Sequence, residues 1–288
     1  MHAIIKHCII LALTSLLWAT AAQAEIGWPR VAVSADGVPI SYEVHGDGEP
    51  TLVFIHGWSC DSRYWRAQLG HFATSHRVIA LDLAGHGHSG LQREHYSMSA
   101  FGEDVRTVVE AEGAERVVLI GHSMGGAVSL AAAAAMPDRV AAIIGVDTFQ
   151  DLGQRLSVEE VEAWVGPLRE DFVANVRPFV AGMFIDSTDA ALRDWVIADM
   201  SAAPPNVAVS AMQHLFETSG DPATLAILRE HEIPVVTINA DLWPTNVDGN
   251  AEQLPGFRAI ILPDTDHFLH MAQPEAFNRA LEQVLGEL

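Results

Sequence analysis

Ser123 stands between Gly121 and Gly125 in the stretch VVLIGHSMGGAVSL at 117–130. As a bare pattern, G-x-S-x-G is weak. Its context is not: an apolar β-type run precedes the serine and a small-residue helical run follows it. A serine on such a strand-to-helix turn needs side chains absent two residues to either side, which Gly121 and Gly125 provide. The turn lifts the hydroxyl clear of the strand. It also leaves backbone N–H groups at the start of the next helix free to meet negative charge. The chemistry this allows is nucleophilic attack on a carbonyl carbon. An N-cap serine is the plainer alternative. Attack requires a base, and histidine has the side chain whose pKa suits the task near neutrality. The chain has 14 histidines.

The elements that must position these groups alternate along the chain. Short apolar runs at 51–55, 77–81, 116–120, 140–146, 233–238 and 259–262 read as buried strands, and 31–33 with 39–44 as a hairpin around Asp36-Gly37. Between them, helical spacing covers 98–112 and 125–136, and Pro274 opens a last helix over 275–285. Strands that are apolar throughout and alternate with helices predict an α/β fold, a mainly parallel sheet covered on both faces. Residues 148–224 break the rhythm with four helical stretches, 158–168, 172–184, 190–200 and 206–219, rich in aromatic residues. They read as a helical cap inserted into a core made of 25–147 and 225–288.

Four motifs in order, FIHGW at 54–58, DLAGHGHSG at 82–90, GHSMGG at 121–126 and DHFLHMAQPEAFN at 266–278, resemble those of the α/β-hydrolase superfamily. The resemblance covers most of the chain beyond residue 24. It implies that Ser123 attacks, that His267 is the base, and that the backbone N–H groups of Met124 and Trp58 hold the oxyanion, with His56 and Gly57 shaping the Trp58 loop. Asp266 stands where the glycine before that histidine is usual. The acid behind His267 is left between Asp147 and Asp241, with Asp248 or no acid as the remaining alternative. Relatives commonly carry it in the loop after the strand 233–238, but INADLWPTN at 238–246 puts Trp243 at that position and Asp241 two residues early. Others place it at the end of the preceding core strand, which here is Asp147. A serine nucleophile argues against the dehalogenase and epoxide-hydrolase chemistries of this fold, which use aspartate. The expected reaction is hydrolysis of a small or medium apolar ester through an acyl-enzyme. Lactone hydrolysis, carbon–carbon hydrolysis and perhydrolysis use the same residues and stay open, as does a non-catalytic ligand-binding relative, which the Trp243 substitution favours.

Composition narrows the partners. The net charge of −21 disfavours nucleic acid and anionic lipid. His86-x-His88 is followed by Ser89-Gly90 rather than further ligands, so no metal site is read there, and no cofactor is called for. Residues 1–24, with Lys6 before an apolar run and Ala22-Gln23-Ala24 after it, read as a secretory signal peptide cleaved after Ala24. The expected location is periplasmic or secreted, with no stable membrane insertion after cleavage. Lys6 is the single lysine, and Cys60 is the one cysteine outside that leader, so no internal disulfide is expected.

Overall fold

The computed structural model describes residues 29–218 and 220–288; the expected signal peptide lies outside the described residues. Eight strands form one sheet: β1 (Arg30–Val33), β2 (Pro39–His45), β3 (Thr51–Ile55), β4 (Val78–Leu81), β5 (Val117–His122), β6 (Val140–Val146), β7 (Val235–Ala240) and β8 (Arg258–Leu262). Their order is β1-β2-β4-β3-β5-β6-β7-β8. The pairs β1–β2 and β2–β4 are antiparallel, and the others are parallel. This is the α/β-hydrolase fold expected from the sequence. The expected strand 233–238 begins two residues later, after Pro234, whose ring removes the N–H a ladder needs.

The central strands β3, β4 and β5 are buried along their whole length because both faces are covered. On one face Leu52, Phe54, Val118, Ile120 and Ile144 pack with Trp65, Leu69 and Phe72 of the segment leading through α1 (Arg66–Phe72), and with the last helices. On the other, Val53, Ile55, Leu119 and Ile143 pack against α2 (Met98–Ala111) and α3 (Met124–Ala135). Alternation at a period of two, apolar on both sides, is what such a strand requires.

Four helices, α4 (Val158–Glu170), α5 (Phe172–Ala181), α6 (Ala190–Met200) and α7 (Pro205–Thr218), follow β6. Ser157, Asp171 and Asp189 cap the first three, each accepting from a backbone N–H three residues on. Such caps contribute about 1 kcal/mol apiece, which matters for helices this short. The chain then returns to the core through α8 (Pro222–Glu230), which packs on α3. It closes with α9 (Val247–Gln253), α10 (Leu269–Ala272) and α11 (Pro274–Leu285).

Register sets the next level. Ile55 pairs with Gly121, His122 with Val146, and Ala240 with Leu262. The carboxyl ends of β3, β5, β6, β7 and β8 therefore lie side by side. The loops leaving them carry Gly57-Trp58, Ser123, Asp147, Asp241 and His267 to one edge of the sheet.

Candidate active site

Ser123 follows β5 with φ 53° and ψ −119°, a left-handed conformation that a non-glycine residue holds at a cost of about 1–3 kcal/mol. Neighbouring strands fix it: its N–H donates to the Val146 carbonyl at 2.9 Å. The flanking glycines are required by contact. A Cβ on Gly121 would stand 2.1 Å from the Gly125 carbonyl oxygen, and one on Gly125 would stand 2.4 Å from that of Ile55. A Cβ on Gly57 would meet His122 Nδ1 at 2.9 Å and Ser123 Cβ at 3.3 Å, so this glycine lets the β3 loop approach the serine. His56, buried beneath that loop, donates from Nδ1 to the Gly57 carbonyl at 2.8 Å and accepts the Leu83 N–H at Nε2, 3.0 Å away. Among the described residues, the hydrogen bonds engage neither the Trp58 nor the Met124 backbone N–H. Met124 opens α3, so its amide also sits at the positive end of a helix dipole.

His267 and Asp147 are brought together. The imidazole Nδ1–H donates to Asp147 Oδ2 at 2.5 Å, with the Asp147 side chain fully buried and that of His267 8% exposed. A carboxylate accepts only, so Nδ1 carries a proton, the tautomer that in a neutral ring leaves the lone pair on Nε2. The second carboxylate oxygen accepts the Ala240 N–H at 3.0 Å. Asp147 itself has φ 43° and Phe149 has φ 59°. That strained turn is held by two polar side chains inside β7: Asn239 Oδ1 accepts the Thr148 N–H at 3.1 Å, Asn239 Nδ2 donates to the Thr148 carbonyl at 3.0 Å, and Thr237 Oγ1 donates to the same carbonyl at 3.1 Å. Sequence reasoning passes over this pair; the signal was two polar residues in the otherwise apolar run VVTINA.

Asp241, the other sequence candidate for the acid, is not part of this arrangement. It is exposed, and its carboxylate accepts the Asp264 and Thr265 N–H groups at 3.0 and 3.2 Å, which hold its pKa below the usual range. It closes the turn after β8. Trp243, at the family's usual acid position, stands edge-on to the His267 ring, centroids 5.3 Å apart, and walls one side of it.

The His267 backbone is held from two directions. Its carbonyl accepts His122 Nε2–H at 2.8 Å, and its N–H donates to the Met183 carbonyl at 3.1 Å, at the end of α5. Burial keeps the His122 ring well below its ordinary pKa, so it is a neutral donor here. Asp266, buried, accepts the Phe268 N–H at 2.8 Å and the Thr188 hydroxyl. Burial raises its pKa. Phe184 stacks on Phe268 at 5.1 Å. The segment 183–188 between α5 and α6 is thus tied to the loop bearing His267, and Asp266 is the residue that ties it. His86 packs against His56 and donates to the Ala84 carbonyl, whereas His88 is exposed beside Asp82.

Two cavities open onto Ser123 and His267. One, about 330 Å³, is lined by Trp58, Trp164, Phe179, Met183, Met200 and Met212 among others. The second, about 230 Å³, is lined by Thr148, Gln150, Asp151 and Gln154 with Leu130 and Ala127. Gln154, Leu215, Phe216 and Trp243 border both.

A profile of the alpha/beta hydrolase fold matches residues 50–189. The chain is 27% identical to the dihydrolipoyllysine-residue acetyltransferase component of an acetoin cleaving system of Pseudomonas putida, over 83% of this chain but only 64% of the relative's length. It is 29% identical to the pimeloyl-[acyl-carrier protein] methyl ester esterase of Edwardsiella ictaluri, over 82% of this chain and 93% of that protein. Among solved structures it is similar to the esterase RhEst1 of a Rhodococcus species, with a TM-score of 0.74 and 26% identity over 90% of this chain and 99% of that one. With the motif order, the sheet order and these matches in agreement, the chain belongs to the α/β-hydrolase superfamily.

Proposed function

We propose that the protein is a serine ester hydrolase working through an acyl-enzyme. The reading rests above all on the buried 2.5 Å Asp147–His267 pair, whose His267 lines the same two cavities as the strained Ser123 turn. Ser123 Oγ attacks the ester carbonyl carbon and its proton passes to His267 Nε2. Asp147 keeps the imidazole in the required tautomer and stabilises the imidazolium that forms. The negative oxygen of the tetrahedral intermediate takes hydrogen bonds from the Trp58 and Met124 N–H groups, each worth about 3 kcal/mol in such a site. The bond to the leaving oxygen breaks as Nε2 returns the proton to it, and the alcohol departs. Water then attacks the acyl-enzyme, giving its proton to Nε2. Collapse releases the acid and restores the Ser123 hydroxyl.

The apolar cavity supports a small or medium apolar ester, since its lining brings aromatic and methionine side chains to the nucleophile. The test is hydrolysis of a short-chain chromogenic ester by the wild type and by Ser123→Ala. Turnover lost in the variant is expected. Turnover that survives it, or no turnover across a panel of esters together with no fluorophosphonate labelling of Ser123, overturns the proposal. We also propose export to the periplasm or medium on residues 1–24. N-terminal sequencing of the protein from a secreting host is expected to begin at Glu25; retention of Met1 on exported protein would refute it.

A further inference from the structure

The two cavities that meet at Ser123 and His267 are chemically unlike. The larger is walled by side chains without charge: Trp58, Trp164 and Phe179, and the three methionines Met183, Met200 and Met212. Its one ionisable ring besides His267 is His122, which burial keeps neutral. The smaller adds Thr148, Gln150, Asp151 and Gln154 to apolar walls that include Leu130 and Phe149. Among the described residues, no hydrogen bond engages the side-chain amide of Gln150 or Gln154, so both can meet a ligand. Asp151 is half-buried. Its Oδ1 accepts the Gly153 N–H at 2.8 Å and its Oδ2 the Asn246 side-chain amide at 3.1 Å, and neither partner is a cation. The same residues, Gln150, Asp151 and Gln154, continue into an open groove with Asn246 and Glu252. Among the described residues, no arginine lines either cavity or the groove. Arg155, next in sequence to Gln154, turns its guanidinium to the Leu152, Gln154 and Gly220 carbonyls.

Resting on the ester-hydrolase reading, we infer that the substrate has two unlike arms: an apolar arm in the cavity of Trp58 and the methionines, and an arm bearing hydrogen-bond donors, uncharged or cationic, in the cavity of Gln150, Asp151 and Gln154. A carboxylate on either arm is disfavoured. In the first cavity the rim amide of Gln154 is an uncharged donor among apolar walls with no cation, and in the second a carboxylate lies beside Asp147 and Asp151 with no cation to offset them. A wholly apolar second arm leaves the Gln150, Asp151 and Gln154 groups without the partners water gave them, the kind of mismatch by which polar sites reject apolar analogues.

The test uses the purified protein and two mirrored ester sets. One is hexanoate esters of butanol, glycerol, choline and glycolic acid. The other is hexyl esters of butanoic acid, glyceric acid, trimethylglycine and succinic acid. Release of hexanoic acid or hexanol gives kcat/KM. In one of the two sets, the hydroxylated and cationic esters are expected to exceed the butyl-type ester about tenfold and the anionic ester by more. Asp151→Asn, which keeps an acceptor for Gly153, should cut the cationic-to-butyl ratio severalfold. Anionic esters cleaved as fast as cationic ones, a butyl-type ester that is best in both sets, or a ratio unmoved by Asp151→Asn overturns the assignment. If Ser123 is labelled by a fluorophosphonate yet no ester in either set is cleaved, the substrate assignment alone falls. If Ser123 is not labelled and nothing is cleaved, the hydrolase reading falls with it.

Discussion

Replacing Asp147 by asparagine tests the charge relationship at the heart of the site. The carboxylate lies 2.5 Å from His267 Nδ1 with its side chain fully buried. When His267 takes the serine proton, a positive imidazolium stands against that carboxylate. At an effective dielectric near 20, a charge pair about 4 Å apart gains about 4 kcal/mol, and each 1.36 kcal/mol is tenfold in rate. Loss of the charge therefore predicts a fall in kcat of about a thousandfold. A further loss is expected if the new amide N–H points at Nδ1 and forces the proton onto Nε2, where it blocks the base. Asparagine retains an oxygen for the Ala240 N–H, so the fold should survive. The assay is kcat on a chromogenic ester for Asp147→Asn and Asp241→Asn side by side, with melting temperature as the control. Asp241→Asn should stay within a few-fold of wild type, because its exposed carboxylate serves only the Asp264–Thr265 turn and does not reach His267 Nδ1. The reasoning is refuted if folded Asp147→Asn keeps a rate within tenfold of wild type, or if Asp241→Asn loses as much.

Other consequences follow from the same geometry. His56, His86, His122 and His270 are buried with pKa values pushed down, His86 and His270 to about 3, because burial disfavours their charged forms. The unfolded chain binds their protons first, near pH 6.5, so stability should be full above that pH and fall as pH drops toward 3. Asp104 and Asp266, whose pKa values burial raises, act oppositely as pH falls through those raised values, but they are fewer. Urea midpoints from pH 7.5 to 4 measure the slope, and His270→Phe should flatten it; a slope of opposite sign would exclude the assignment. Gly57→Ala puts a Cβ 2.9 Å from His122 Nδ1, so the Trp58 loop must shift, and kcat should fall about a hundredfold with little change in far-UV circular dichroism. Burial raises the Cys60 thiol well above its usual pKa, so a disulfide reagent should leave it unmodified in the native protein and modify it in urea.

How much of this was legible in the sequence depends on range. The strand ends at Ile55 and Val146 and the glycines around Ser123 follow from local sterics and composition, which a linear reading captures. Asp147 and Asp241 could not be separated that way, because both end a core strand near a turn. The choice rests on register and on which loop bends inward: β5 and β6 end level at His122 and Val146, and Asn239 and Thr237 hold the turn after β6 against β7. Those are long-range facts. Helices α1 and α9, of seven residues each, are too short to show two turns of apolar spacing. Trp243 reads in the sequence as a missing acid. In the fold it is a wall beside His267, and the carboxylate against the imidazole Nδ1 is that of Asp147, at the end of β6.

The most direct measurement is the identity of the acylated residue. The protein is quenched in acid during turnover of a slow chromogenic ester, or treated with a fluorophosphonate, and digested for mass spectrometry. The account predicts a single adduct on the peptide carrying Ser123, formed in proportion to lost activity and absent in Ser123→Ala. An adduct on another residue, or full ester turnover by Ser123→Ala, would contradict it.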